Sequence, residues 1–146
     1  IIKQIKSFFD KKNSKNRRYL INDFFLAFWF DIFGTEMRNL LDSKIQKDIL
    51  NTKLPNYFGY AFEKICIVAL KNKYEEIESY FRGVEIDILA KNGKYIDVFE
   101  CKFSDSVKKN TLEKLRGKIA FLPETYNYNP QILYLDESCF KMLFSD

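Results

Sequence analysis

Apolar positions recur at helical spacing through the first half of the chain and alternate through much of the second. The run Phe24–Phe33 (FFLAFWFDIF) follows Asn22 and Asp23, either of which can cap a short helix through Phe30. Thr35 can cap the next helix, with Glu36 in its first turn and Leu40, Leu41, Ile45 and Ile49 three or four residues apart. Pro55 closes that segment. Phe58, Ala61, Phe62, Ile65, Cys66, Ala69 and Leu70 then mark the apolar face of a third helix running to about Lys73, with Glu63 beside that face. After Tyr74 the period changes to two. Strands are predicted over 77–82, 84–90 and 95–103, the last two joined around Asn92-Gly93, a strong short-range hairpin signal. Leu112, Leu115, Ile119 and Leu122 predict a helix, 123–130 a loop, 131–135 a strand and 138–144 a closing helix. This order predicts an α/β fold with a central mixed four-stranded sheet flanked by helices. The helix between the third and fourth strands supplies a parallel crossover, and an N-terminal helical segment precedes the sheet.

Composition narrows the class. A chain of 146 residues with 47% apolar, 17% aromatic and 30% charged positions, 5 Gly and 3 Pro is a packed globular domain with room for one core, which excludes disordered and collagen-like architectures. The one compositional step is the basic stretch Lys11, Lys12, Lys15, Arg17 and Arg18, read as a solvated turn or tail ahead of the aromatic run. The expected organisation is a basic and aromatic N-terminal segment, 1–34, followed by a domain over 35–146. The chain begins at Ile1 rather than Met, as expected of a fragment or of a trimmed chain.

His is absent, so Ser-His-Asp and Cys-His nucleophile systems and His-ligated zinc or haem are excluded within the chain. A metal would sit mainly on carboxylate and carbonyl oxygen, which favours Mg²⁺, Mn²⁺ or Ca²⁺. A net charge of +4 leans only mildly toward polyanions. Cys66, Cys101 and Cys139 are odd in number and form no CxxC pair, which fits free thiols in a reducing, cytoplasmic interior. The aromatic run carries Asp31 and is half the length of a membrane span, and there is no export signal, so no membrane role is expected.

The candidate chemistry lies in the hairpin. With Asn92 and Gly93 as a two-residue loop, Asp87 faces Val98 and Glu85 faces Glu100. Glu85, Asp87, Glu100 and Lys102 then project from one side, and Ile86, Ile88, Phe99, Cys101 and Phe103 from the other. Asp87 and Glu100 become diagonal neighbours with backbones roughly 7–8 Å apart. Carboxylates grouped in this way repel one another unless a cation or Lys102 neutralises them, and a divalent metal is the economical answer. The competing reading is that they are ordinary solvent-facing charges on the outer side of a two-faced hairpin. Against it, Glu100-Cys101-Lys102 lies in one of the most apolar strands (IDVFECKF), as expected of a central strand covered on both faces.

Glu63 on a helix, Asp87 in EIDILA, and Glu100 with Lys102 in FECK resemble the signature of the PD-(D/E)XK nuclease superfamily, with Ile86 in place of the Pro. The blocks RRYLINDFFLAFWFDIF, PNYFGYAFEKICIVAL and GVEIDILAKNGKYIDVFECKFSD are similar, over about residues 17–122, to one branch of it. That branch is the C-terminal domain of unknown function carried by archaeal and bacterial AAA-type ATPases.

The resemblance implies a restriction-endonuclease-like core in which Asp87, Glu100 and the Cys101 carbonyl ligate Mg²⁺ or Mn²⁺. It also implies that Lys102 orients or activates the attacking water and that Glu63 is an accessory carboxylate. The implied substrate is DNA. The chain has no GxxxxGK[ST] segment, so the implied ATPase partner lies upstream. Two expectations stand side by side: a metal-dependent DNA endonuclease, or a non-catalytic regulatory or docking module of an ATPase that uses the same fold and the FFLAFWF surface.

Overall fold

Residues 2–11, 13–15, 17–34 and 37–145 are described by the computed structural model. Thr35 and Glu36, the expected cap and first turn of the second helix, lie outside them. The chain opens with Ile2–Lys6 (β1) paired to Arg17–Ile21 (β2) in a two-stranded sheet, so Arg17 and Arg18 belong to a strand rather than to a solvated turn. No residue of this ribbon is buried, so it needs no strict apolar alternation and leaves little trace in the sequence.

Helix α1 (Phe24–Phe33) is capped by Asp23, whose carboxylate accepts the Leu26 N–H at 2.9 Å. A 3-10 turn at Met37–Asn39 leads to α2 (Ser43–Asp48), capped by Asp42. A π turn at Ile49–Lys53 joins α2 directly to α3 (Leu54–Leu70). Pro55 therefore stands inside the first turn of α3 instead of between helices. It has no N–H for the ladder, and the wider turn before it accommodates that loss.

The chain forms two compact units, Ile1–Ile5 with Arg18–Ala61, and Lys6–Arg17 with Phe62–Asp146. In the first, Ala27, Ile32, Ile49 and Tyr57 form the core with Phe28, Leu40, Ile45 and Leu54 around them, and the Tyr57 hydroxyl donates to the Phe24 carbonyl at 2.9 Å. Phe25, Phe30 and Phe24 of α1 stay exposed, at 68%, 58% and 48%.

The second unit holds β3 (Glu76–Arg82), β4 (Val84–Asn92), β5 (Tyr95–Cys101) and β6 (Asn127–Leu133), in the order β3-β4-β5-β6. The first two pairings are antiparallel. The third is parallel, reached through helix α4 (Thr111–Ile119), and α5 (Glu137–Phe144) closes the unit. This mixed sheet flanked by helices is consistent with a restriction-endonuclease-like core.

Strand β6 begins at Asn127, within the stretch expected to be a loop, and carries Pro130 opposite Val98. It is an edge strand, where a residue without an N–H costs the ladder nothing. The other edge, β3, is covered by the loop after β1. The Phe8 N–H donates to the Ser79 carbonyl, and the Phe81 N–H to the Ser7 hydroxyl, each at 2.9 Å.

Both faces of the sheet are buried. Ile88, Ala90 and Phe99 pack with Phe62, Cys66 and Leu70 of α3 and Cys139 and Leu143 of α5. Leu89, Ile96 and Val98 pack with Leu115 of α4, Leu122, Tyr80 and Phe8. This double cover is why β4 and β5 read as nearly continuous apolar runs. Of the expected α3 face, Ile65 and Phe58 are exposed, at 44% and 42%, while Phe62, Cys66 and Leu70 are buried.

Candidate active site

The hairpin turn fixes the site's register. Gly93 has φ +61 and lies, with Lys94, between the paired residues Asn92 and Tyr95. Only the first loop residue needs a positive φ, so the turn uses Gly93-Lys94 instead of Asn92-Gly93. Pairing therefore moves by two residues, which preserves the faces but changes the partners: Ile88 is opposite Phe99, and that rung is the last. Asp87 and Glu100 occupy the positions immediately beyond, where the β4–β5 ladder ends.

A bulge on the other side of β4 turns Asp87 out of the regular pleat. Glu78 pairs with Leu89 but Tyr80 pairs with Ile86, so Asp87 and Ile88 together oppose Ser79. Alternation reverses there, and Ile86 joins the α4-side cluster with Tyr80 and Leu89, not the cluster of Ile88 and Phe99 expected from strict parity. Glu85 lies beyond the bulge, exposed and opposite Phe81.

The Asp87 carboxylate replaces the missing rung. The Lys102 N–H donates to Leu133 of β6, so the N–H of Cys101 points toward β4, where Asp87 Oδ2 accepts it at 2.7 Å. Burial is the largest influence on Asp87 and, with Glu100 and Glu63 adding to it, pushes the carboxyl up to about 6; the Cys101 N–H and Lys102 pull the other way.

Glu100 is a different case. Lys102 Nζ donates to its Oε1 at 2.7 Å and Lys118 Nζ, from α4, to its Oε2 at 2.8 Å. Burial raises Glu100, but the two ammonium groups outweigh it and hold the carboxyl below its ordinary value. Lys102 is raised in turn: burial lowers it, and the bond to Glu100 more than compensates. It is an ammonium at neutral pH.

Glu63 is half-buried, paired with Lys64 at 2.9 Å and accepting from the Ser79 hydroxyl at 3.3 Å. The Cys101 thiol is pushed up by its hydrogen bond with Cys66 and by burial, so it is an inert thiol, and only its backbone is available for chemistry. Asp87, Glu100, Lys102, Glu63 and Cys101 thus act on one another at the end of the ladder.

Lys118 completes the group and was not anticipated. Its signal is faint: it lies one helical turn after the buried Leu115, on the face α4 turns to the sheet. With three lysines beside three carboxylates, charge is balanced by the chain itself. Among the described residues no group of three or more His, Cys, Asp or Glu could hold a metal ion by itself.

The sequence profile of the family DUF234, archaeal and bacterial proteins of unknown function, matches residues 29–115. The chain belongs to this family. The matched span takes in the second half of the aromatic helix, α3 and the hairpin with Asp87, Glu100 and Lys102, but ends before Lys118. Searches of curated proteins and of solved structures gave no match. Among the described residues no helix is long and apolar enough to cross a membrane.

Proposed function

We propose that this domain is a metal-dependent endonuclease that hydrolyses phosphodiester bonds in DNA, centred on Asp87, Glu100, Lys102 and Lys118. The reading rests on one observation: Asp87 fills the gap at the end of the β4–β5 ladder, beside a Glu100 whose two oxygens are each held by a lysine.

The donor set fits a hard divalent cation that arrives with its substrate. Mg²⁺ is commonly held by one or two carboxylates together with substrate phosphate oxygens and water, rather than by an all-protein cage. Asp87, Glu100 and the Cys101 carbonyl would hold it. When bound, it would supply Lewis-acid polarisation of the phosphoryl group. Were Glu100 to hold the cation, one of its two lysines would be free to donate to a phosphate oxygen. Lys102, protonated, orients the attacking water by hydrogen bonding and stabilises the charge that builds on the phosphoryl oxygens. Glu63, on the Asp87 side, accepts from water. In this reading the domain works attached to an AAA-type ATPase that lies upstream.

The exposed rings of Phe24, Phe25 and Phe30 favour a second reading, a docking or regulatory module of the same ATPase. Metal-dependent melting separates the two. Millimolar Mg²⁺ or Mn²⁺ with a short duplex DNA should raise Tm of the wild type and not of Asp87→Asn. A wild-type melt indifferent to both cations would favour the docking module.

A further inference from the structure

Away from Asp87 and Glu100, the loop after β1 and the end of β3 border an open cavity of about 530 Å³, in the range of small-molecule sites. Phe9 and Tyr80 supply its aromatic wall, their ring centroids 6.1 Å apart. Phe9 has φ +66, the left-handed region, which a bulky residue adopts only where its surroundings enforce it. The neighbouring bonds, Phe8 N–H to the Ser79 carbonyl and Asp10 N–H to the Ser7 carbonyl, hold the backbone there, and the ring packs against Phe8 and Tyr126 at centroid distances of 4.8 and 5.6 Å.

The polar wall is cationic. Arg82 is ion-paired with Asp10, whose side chain is 1% exposed, and it also donates to the Ser14 hydroxyl at 3.1 Å. The guanidinium is thereby fixed, with donors to spare. Lys11 and Asn13 also line the cavity, both exposed, and among the described residues neither side chain makes a hydrogen bond or ion pair; the Tyr80 hydroxyl makes none either. Two cations against one buried carboxylate leave the cavity net positive.

We propose that this cavity binds a nucleoside monophosphate unit, with the base against Phe9 and Tyr80 and the phosphate held by Lys11 and Arg82. Planar bases pack on aromatic faces largely irrespective of sequence, a phosphate calls for charge-assisted donors, and Asn13 and the Tyr80 hydroxyl offer hydrogen bonds to the base or sugar. The site shares no residue with Asp87, Glu100, Lys102, Lys118 or Glu63 and does not depend on the nuclease reading. A free nucleotide and an unpaired nucleotide of a strand present the same chemistry.

The test is an amide NMR titration of the 146-residue chain, in EDTA, with dAMP, deoxyadenosine, inorganic phosphate and a single-stranded oligodeoxyadenylate. Saturable shifts at Phe9, Lys11, Asn13, Tyr80 and Arg82 with dAMP are expected, with deoxyadenosine and phosphate each binding about tenfold more weakly or less, the equivalent of one lost charged contact. Competition by the oligonucleotide would assign the occupant to a strand and its failure to a free nucleotide; both support the site. Lys11→Glu alters an exposed side chain without partners among the described residues, should leave the fold intact and should weaken dAMP by at least about tenfold. No shifts at these residues at millimolar dAMP, phosphate binding as tightly as dAMP, or unchanged affinity in Lys11→Glu would each overturn the proposal.

Discussion

Asp87→Asn should stabilise the protein, and only where Asp87 is charged. The native state holds this carboxyl near 6 against an ordinary 3.8. At 1.36 kcal/mol for each pKa unit, keeping it ionised at neutral pH costs about 3 kcal/mol. The sign follows from linkage. A carboxyl raised on folding binds its proton more tightly in the native state, so stability falls as pH rises from about 4 to about 6 and then levels off. Asn has the same shape, keeps an oxygen to accept the Cys101 N–H and carries no charge. Its expected gain is about 2–3 kcal/mol at pH 7.5, shrinking to about 0.5 kcal/mol at pH 4. Urea unfolding of both proteins at pH 4, 5.5 and 7.5 measures this directly. An Asn variant no more stable than wild type at pH 7.5, or equally favoured at pH 4 and 7.5, would refute the burial argument.

Glu100→Gln should act in the opposite direction, because Glu100 is paired rather than repelled: a loss of about 1 kcal/mol at pH 7, discounted because Lys102 and Lys118 are 43% and 31% exposed. Its carboxyl is depressed on folding, so that stability is present above the ordinary range and lost as pH falls through its depressed native value, and urea unfolding at pH 7.5 and at pH 4, where the loss has begun, checks the direction. Lys102→Met and Lys118→Met should each cost little, while the double variant leaves a half-buried carboxylate with neither cation and should cost more than the two together, read from a double-mutant cycle. Phe99→Ala, at a fully buried position packed with α3 and α5, should cost about 3–5 kcal/mol. Tyr74→Phe removes a 2.6 Å hydrogen bond to Asp97, which retains Asn129, and should cost about 1 kcal/mol in the same assay.

Hydrophobic period was enough to read the second unit. The change from helical spacing to alternation at Tyr74 places β3, β4 and β5, and the continuous apolarity of β4 and β5 reflects the helices on both faces of the sheet. Features set by backbone geometry were harder to read. Asn92-Gly93 and Gly93-Lys94 are both acceptable turns, and the pattern of faces is the same for either, so only the pairing distinguishes them. The bulge at Asp87 depends on a two-against-one fit with Ser79 that no periodicity encodes, and it sends Ile86 to the other side. Pro130 disguised the start of β6, and the exposure of β1 and β2 disguised theirs. The grouping of Asp87, Glu100 and Lys102 was legible because a register shift of two preserves parity. Lys118 was not, since nothing in local sequence links a lysine on α4 to a strand 18 residues earlier.

DNA cleavage tests the central claim most directly. Plasmid and branched DNA should be incubated with wild type, Asp87→Asn and Lys102→Ala at pH 7.5, with Mg²⁺, Mn²⁺ or EDTA. The account predicts nicking by the wild type with either cation, none in EDTA, and a drop of at least about a hundredfold in each variant, the scale of losing one charge-stabilising group from a hydrolytic site. Cleavage equal in wild type and Lys102→Ala, or none by folded wild type with either metal, would contradict it.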